Sequence, residues 1–502
     1  MNNGKFSRRA FIGAGGAFAL LNGGCAFRAP TGFFGGGGAN VSFGVMSDVH
    51  IQRPGDEEHL LNALRFFRER GVDGVMVAGD IADQGRISQL KIFADAWYAV
   101  FPDDKGIDGQ KVEKLFIYGN HDIWGFSWGT KDDPELAKRD GIGYDDASQA
   151  RVWEELFHEP YSEFWIKNVK GYSFIGGHWT KKDNFDGLDA FLRAHEKELD
   201  PSKPFFYTQH AHPKDTCYGS WAWGHDNGSS TKALSRFPNA VAFSGHSHYT
   251  LTDDRSVWQG AFTSINTASM KYSSLDYSLR DNLNVVNTSG YQGEKGRPKP
   301  HPRVYIGRFE EANKDASYGV NLMQGRQGML VSVYDDRMVI ERREFVTSHS
   351  LGDDWVVPLP AGTGAGSFAY GEQAKRKVAP EFASDAKVAV SFVDDENKDI
   401  GRAVQLDCPR AEERGGCRVF DYEVTATLVE DDVDLVQVQR RFIAPDFFLP
   451  LEEKIPMCRF RLALSDLKLK GHYRFGVTPV ESFGKKGRTI WSETVEIKAD
   501  NS

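Results

Sequence analysis

Five short polar clusters hold most of the chemistry this sequence could perform. They are Asp48 with His50, Gly79-Asp80 with Asp83, Gly119-Asn120-His121-Asp122, His210 with His212 and Pro213, and Gly245-His246 with His248. Each directly follows an apolar, strand-like run, at 41–47, 72–78, 115–118, 205–209 and 241–244. Carboxylates mixed with imidazoles suit divalent transition metals; an all-carboxylate set would suit Mg or Ca, and thiolates would suit structural zinc. Two aspartates, one asparagine and four histidines exceed the four ligands of one zinc. They suffice for two cations that share a carboxylate. A lone GDxxD or HxH is usually a turn or a surface pair, so the ordered set of five carries the reading.

Such clusters act together only if a fold gathers them. Strand-like runs alternate with helix signals. Leu60, Leu61, Leu64 and Phe67 recur at helical spacing within 57–70, 88–101 reads as a helix with Ser88 as N-cap, and a third helix is predicted near 188–199. A further strand falls at 172–175. This alternation predicts a layered α/β domain. In such sheets the carboxyl ends of strands line the ligand crevice, so the five clusters are expected to converge.

In this order the clusters resemble the calcineurin-like metallophosphoesterase signature, over about residues 41–270. The resemblance implies a four-layer α/β/β/α sandwich and a dinuclear centre of two divalent or transition metal ions, Mn, Fe or Zn. It implies that Asp48, His50, Asp80 and His248 hold one metal, and that Asp80 bridges to a second held also by Asn120, His210 and His246. His121 would be the catalytic residue over the substrate phosphate, oriented by Asp83. Asp122 would either position a loop or an imidazole, or cap a turn. In the fourth cluster the text is one residue longer than the family's usual His-x-Pro; His210, next to the strand, is the expected ligand, with His212 the alternative. A water made acidic between two cations would attack phosphorus in line, in a phosphodiesterase or phosphomonoesterase acting on small exported or extracellular phosphoesters. Gln84 and Asp122 depart from the protein Ser/Thr phosphatase pattern, and Asp83 stands where purple acid phosphatases carry tyrosine. The competing reading is a surface-binding protein whose C-terminal domain carries the function while the metal site is vestigial.

At 502 residues the chain is long for a single core. The expected division is an export signal and glycine-rich tether at 1–40, a catalytic domain at 41–360, a linker at 361–378 and a β-sandwich at 379–502. Period-2 alternation in the last part resembles, weakly, a fibronectin III or immunoglobulin-like fold. Arg8-Arg9 before a short apolar run resembles a twin-arginine signal, which places the protein in the periplasm or cell envelope. Cys25 follows that run, and the sequence leaves membrane attachment through its lipidation open. Cys408 and Cys417 flank a turn and could bridge a hairpin. A formal charge of −9 argues against general nucleic-acid binding. The expected partner is a small phosphoester, for which Trp124, Trp128, Trp179, Trp221 and Trp223 offer stacking faces or simply pack locally, and the polar stretch 282–302 reads as a loop bordering the site.

Overall fold

The computed structural model of the chain describes residues 38–129, 133–143, 145–182, 184–218, 226–273, 326–362, 366–395, 401–430, 433–444, 446–450 and 455–498. Residues 1–37, which include Cys25, as well as Trp221, Trp223 and the stretch 282–302, lie outside the described residues.

The first sheet is built from β1 (Val41–Met46), β2 (Gly74–Ala78) and β3 (Glu113–Ile117), and the second from β4 (Phe164–Val169), β5 (Tyr172–Gly177), β6 (Phe205–Thr208), β7 (Ala240–Ser244), β8 (Val257–Gln259) and β9 (Thr263–Asn266). The chain then returns to the first sheet with β10 (Gln327–Val333), β11 (Arg337–Glu344) and β12 (Trp355–Pro358). The strand orders are β12-β11-β10-β1-β2-β3 and β4-β5-β6-β7-β9-β8. β1, β2 and β3 run parallel. So do β5, β6, β7 and β9. The parallel strands are short continuous apolar runs because both of their faces are covered.

Phe43 of β1 meets Phe174, Phe206 and Phe243 of the other sheet at ring separations of 5.1, 5.0 and 5.8 Å, and these rings are the centre of the inter-sheet core. The outer face of the first sheet is covered by α1 (Glu58–Glu69), α2 (Ile87–Val100), α3 (Asn120–Gly129) and, after the short, largely exposed α4 (Pro134–Asp140), α5 (Asp146–Phe157); α6 (Leu188–Ala194) and α7 (Ser229–Leu234) flank the second. The result is the four-layer α/β/β/α arrangement. α1 buries Leu60, Ala63, Leu64 and Phe67, one stripe at helical spacing. Among the described residues no helix is long and apolar enough to cross a membrane.

Several elements differ from expectation. Ser88 is not an N-cap: α2 starts one residue earlier, and the Ser88 amide and hydroxyl donate to the two oxygens of Asp140 at 2.8 and 2.6 Å. The third cluster, for which the sequence suggested no helix, opens α3 at Asn120, so Trp124 and Trp128 sit on a helix. The helix expected over 188–199 ends at Ala194 and continues as a 3₁₀ turn. The stretch expected as linker contains α8 (Tyr370–Arg376), fastened by Gln373 Nε2 to the carbonyls of Val257 and Phe368.

The C-terminal region is all β. β13 (Ala389–Asp394), β14 (Arg402–Pro409) and β17 (Met457–Ala463) form one sheet; β15 (Val419–Glu430), β16 (Val433–Ile443), β18 (Gly471–Glu481), β19 (Ile490–Trp491) and β20 (Val495–Ile497) form the other. Cys408 faces Cys458 across β14 and β17, not Cys417, and the four described cysteines are free thiols. Cys417 instead accepts the Val378 amide at 3.4 Å. The hairpin bridge between Cys408 and Cys417 is therefore excluded.

Replacing Phe43 by Ala should cost about 3–5 kcal/mol, because three rings lose their common neighbour. Urea unfolding measures it; a loss below about 1 kcal/mol would mean that the two sheets do not share this core.

Candidate metal centre

The clusters sit where the parallel strands stop, and their backbones are interlocked. Asp48 N donates to Gly79 O and His50 N to Asp80 O, both at 3.0 Å, which joins the turn after β1 to the turn after β2. Asp48, His50, Asp80, His246 and His248 all take left-handed backbone conformations, with φ of 52°, 46°, 52°, 67° and 51°. Asp and His tolerate this region better than most residues, but each such conformation still carries strain of about 1–3 kcal/mol that the surroundings must hold. Two glycines make room. A Cβ on Gly119 would overlap the Asp80 carboxylate, and one on Gly245 would overlap the side chains of Ser47 and Asp48.

Two groups of side chains result. Asp48, His50 and His248 form one: Asp48 Oδ1 lies 2.9 Å from His248 Nε2 and 3.8 Å from His50 Nε2, and the two Nε2 atoms are 3.2 Å apart. Asp80, His210 and His246 form the other: Asp80 Oδ2 lies 3.0 Å from His210 Nε2, which is 3.2 Å from His246 Nδ1. The same Asp80 oxygen is 3.6 Å from His50 Nε2, so it stands between the groups. Asn120 is buried beside them, and its Oδ1 has no hydrogen-bond partner.

This donor set fits metal ions. The Nδ1 atoms of His50, His210 and His248 lie 3.0, 2.7 and 3.1 Å from the Asp83 carboxylate, the Ala78 carbonyl and the Tyr272 carbonyl. Those oxygens can only accept, so Nδ1 is the protonated nitrogen in each ring. In a neutral ring the Nε2 lone pair then faces the cluster, the usual arrangement behind a metal-binding histidine. Nitrogen separations of 3.2 Å match the ~3.3 Å edge of a tetrahedral set with ~2.0–2.1 Å bonds. An unpartnered buried amide oxygen is a further donor awaiting a cation.

The electrostatics say the same. Asp48 and Asp80 are buried, which alone would raise their pKa, but the surrounding imidazoles pull both below the usual carboxylate range. Burial would lower the imidazoles too. The carboxylates of Asp48, Asp83 and Asp80 reverse this for His50, raised from 6.5 to about 10, and Asp80 and Asp48 raise His210 to about 9. Without a cation, protonated imidazoles supply the missing positive charge.

His121 is more open than these residues, its side chain 30 % exposed. Burial holds its pKa below the ordinary value despite Asp80, so the ring is neutral near pH 7. Its Nδ1–H donates to the Asp83 backbone carbonyl at 2.7 Å, whereas the Asp83 carboxylate is 3.8 Å away and serves His50. Asp83 thus orients His121 through its main chain and His50 through its side chain. Asp122 accepts the amides of Ala82, Gly119 and Ile81 at 2.7, 2.7 and 3.2 Å. Of the roles considered for it, this is loop positioning: it pins the second cluster to the third.

His210 and His212 are now distinguished by position. His210 meets Asp80 and His246, while His212 is buried beneath the fifth cluster. Its Nδ1 lies 2.7 Å from Ser244 Oγ and its Nε2 2.8 Å from Ser247 Oγ. Ser247 Oγ donates to Asn266 Oδ1 at 3.1 Å, so it must accept from His212 Nε2–H, and Ser244 must donate to Nδ1. Burial lowers the His212 pKa to about 3, consistent with this neutral ring. Asn266 Nδ2 completes the chain by donating to the Tyr249 carbonyl at 2.6 Å. Sequence reasoning missed Ser244, Ser247 and Asn266 as the frame of the fifth cluster; the only signal was their small polar side chains at an otherwise apolar strand end.

Residues 41–250 match the sequence model of the calcineurin-like phosphoesterase family. Over that stretch the chain is similar to the calcineurin-like phosphoesterases, and an all-β region follows it. No curated protein sequence matches it significantly. Among solved structures it is similar to a dimetal phosphatase from Danio rerio, at 13% identity and a TM-score of 0.34, covering 64% of this chain and 99% of that one. It is also similar to the purple acid phosphatase PPD1 of yellow lupin, at 10% identity and a TM-score of 0.35, covering 63% and 53%.

The raised histidine pKa values set a pH signature for metal-free protein. A group whose pKa rises on folding stabilises the fold below its unfolded value and loses that contribution as pH climbs through its folded value. Chelator-treated protein should therefore lose thermal stability as pH rises from 6.5 towards about 9–10. Metal-loaded protein should not show this loss, and differential scanning calorimetry across that range compares them. Identical profiles would mean that the cluster holds no compensating protons.

Proposed function

We propose that the chain hydrolyses small phosphoesters at a two-cation centre. Asp48, His50, Asp80 and His248 would hold one ion; Asp80, Asn120, His210 and His246 would hold the other. Bound there, Mn, Fe or Zn ions would supply Lewis-acid charge for the phosphoryl oxygens and acidify a nucleophilic water. The observation that carries this reading is the common orientation of three imidazoles, each with Nδ1 against an acceptor oxygen behind it and Nε2 turned toward Asp48 or Asp80.

The chain's own residues do the rest. Asp80 Oδ1 accepts the His121 amide at 2.8 Å, so the bridging carboxylate and the catalytic histidine are held in one register. His121 keeps Nδ1–H on a carbonyl, which leaves Nε2 to take up and deliver a proton to a departing alcohol or to bond a phosphoryl oxygen. The buried wall of Asp48, His50 and His210 excludes bulk water from the other side. The substrate reaches the site from the His121 side, where Trp128 packs edge-on at 5.0 Å with its own face 55% exposed. In this reading the Arg8-Arg9 leader places the reaction outside the cytoplasm, on exported or extracellular phosphoesters.

Bis-p-nitrophenyl phosphate and p-nitrophenyl phosphate, each with Mn²⁺ and with chelator, test the activity and separate diesterase from monoesterase. Metal-dependent release from at least one is expected. No release from either with Mn²⁺, Zn²⁺ or Fe²⁺ would overturn the reading in favour of a binding protein. His121→Ala should retain bound metal and lower kcat by about 10²–10⁴, whereas Asp80→Asn should lose metal from both positions together with turnover. Metal loss in His121→Ala, measured by elemental analysis, would show that His121 is a ligand instead.

A further inference from the structure

The residue after His248 does not face the cations. Tyr249 is 1% exposed and lies in the hydrophobic core of the C-terminal sandwich, in one cluster with Tyr218, Phe420, Tyr422 and Phe448. Its ring meets Tyr218 at 4.6 Å. Its hydroxyl donates to Asp253 Oδ2 at 2.6 Å and accepts from Arg255 Nη2 at 3.0 Å. Arg255 is itself buried. It bonds the same Asp253 oxygen through Nε and Nη2 at 2.9 and 2.6 Å. Its guanidinium lies 3.9 Å from the Tyr218 ring and 4.6 Å from the ring of Phe420, which belongs to the sandwich.

A second connection runs beside the first. Leu251 N and Thr250 Oγ1 donate to Gln327 Oε1 at 2.7 and 3.0 Å, and Gln327 Nε2 donates to the carbonyl of Phe448, again in the sandwich, at 2.9 Å. Three consecutive residues after His248 are thus fastened to the C-terminal region by one buried cation and one buried amide.

We propose that the β-sandwich is a brace for the metal centre, and that Phe420, through Arg255 and Tyr249, and Gln327, through Thr250 and Leu251, are positioning residues for the segment carrying His246 and His248. The physical need is local. His246 and His248 both hold left-handed backbone angles, φ 67° and 51°, which persist only where the surroundings over-determine them. The phosphoesterase domain supplies one side of that restraint, through His212, Ser247 and Asn266. The sandwich supplies the other. Released from it, the segment would relax, and the two imidazoles would lose the spacing that cation binding requires. The proposal rests on the two-cation reading for its effect on metal affinity, but not for the restraint itself.

The test uses the full chain. Phe420→Leu keeps an apolar side chain in the core but removes the ring face under Arg255; Gln327→Met removes the amide link at similar volume. Phe475→Leu is the matched control, the same change in the same core, next to Tyr473 and away from Arg255. Mn²⁺ affinity is measured by calorimetric titration, and amide hydrogen exchange over 245–251 is measured in metal-free protein. Phe420→Leu and Gln327→Met should each weaken Mn²⁺ binding by about 10–100-fold and speed exchange in that segment. Phe475→Leu should lower global stability without either effect. Unchanged exchange in both test variants, or equal changes in the control, would overturn the brace. If wild-type protein binds no Mn²⁺ while exchange still rises in the test variants, the brace stands and the two-cation reading falls.

Discussion

Two buried carboxylates need positive charge beside them. Asp48 and Asp80 are 0% and 1% exposed, and burial alone would drive them to their neutral acids. The fold prevents this by surrounding them with His50, His210 and His248, whose far nitrogens are committed to oxygens behind them. The cluster then has two ways to balance its charge: protons on the imidazoles, or cations among them. The 3.2 Å separation of nitrogens in each imidazole pair also suits ligands of one ion.

Much of the architecture follows from holding that arrangement. The strained angles at Asp48, His50, Asp80, His246 and His248 point their side chains inward from the turns after β1, β2 and β7. Gly119 and Gly245 exist as glycines because neighbouring turns approach the carboxylates too closely for a side chain. Asp122 ties two of the turns together by accepting three amides, and burial beside Asp80 raises its pKa to about 7. His212 does the equivalent work for the fifth cluster as a neutral ring between two serines. The sandwich closes the set, reaching Tyr249 through Arg255 and Leu251 through Gln327.

The site was more legible in the sequence than the scaffold. Asp48, Asp80, His210, His246 and His248 could be picked out because polar clusters interrupt apolar runs, a contrast that survives without knowledge of packing. Their supports could not. Ser247 and Asn266 are ordinary polar residues until a neighbouring ring requires a proton acceptor. The double use of Asp83, carboxylate to His50 and carbonyl to His121, depends on backbone direction that no spacing encodes. Gly119 ends an apolar run without announcing a helix, yet α3 begins at the next residue and carries Trp124 and Trp128 with it. Cys408 faces Cys458 rather than Cys417 because register between distant strands, not closeness in sequence, sets cross-strand partners. Strands β14 and β16 carry a weak sequence signal because charged and glutamine residues dilute their alternation.

Anomalous diffraction from crystals grown with Mn²⁺ or Zn²⁺ tests the central claim most directly. The account requires two peaks about 3.5–4 Å apart, one against Asp48, His50 and His248 and the other against His210, His246 and Asn120, with Asp80 between them. No peak at this position, or a peak coordinated by His212 in place of His210, would contradict it.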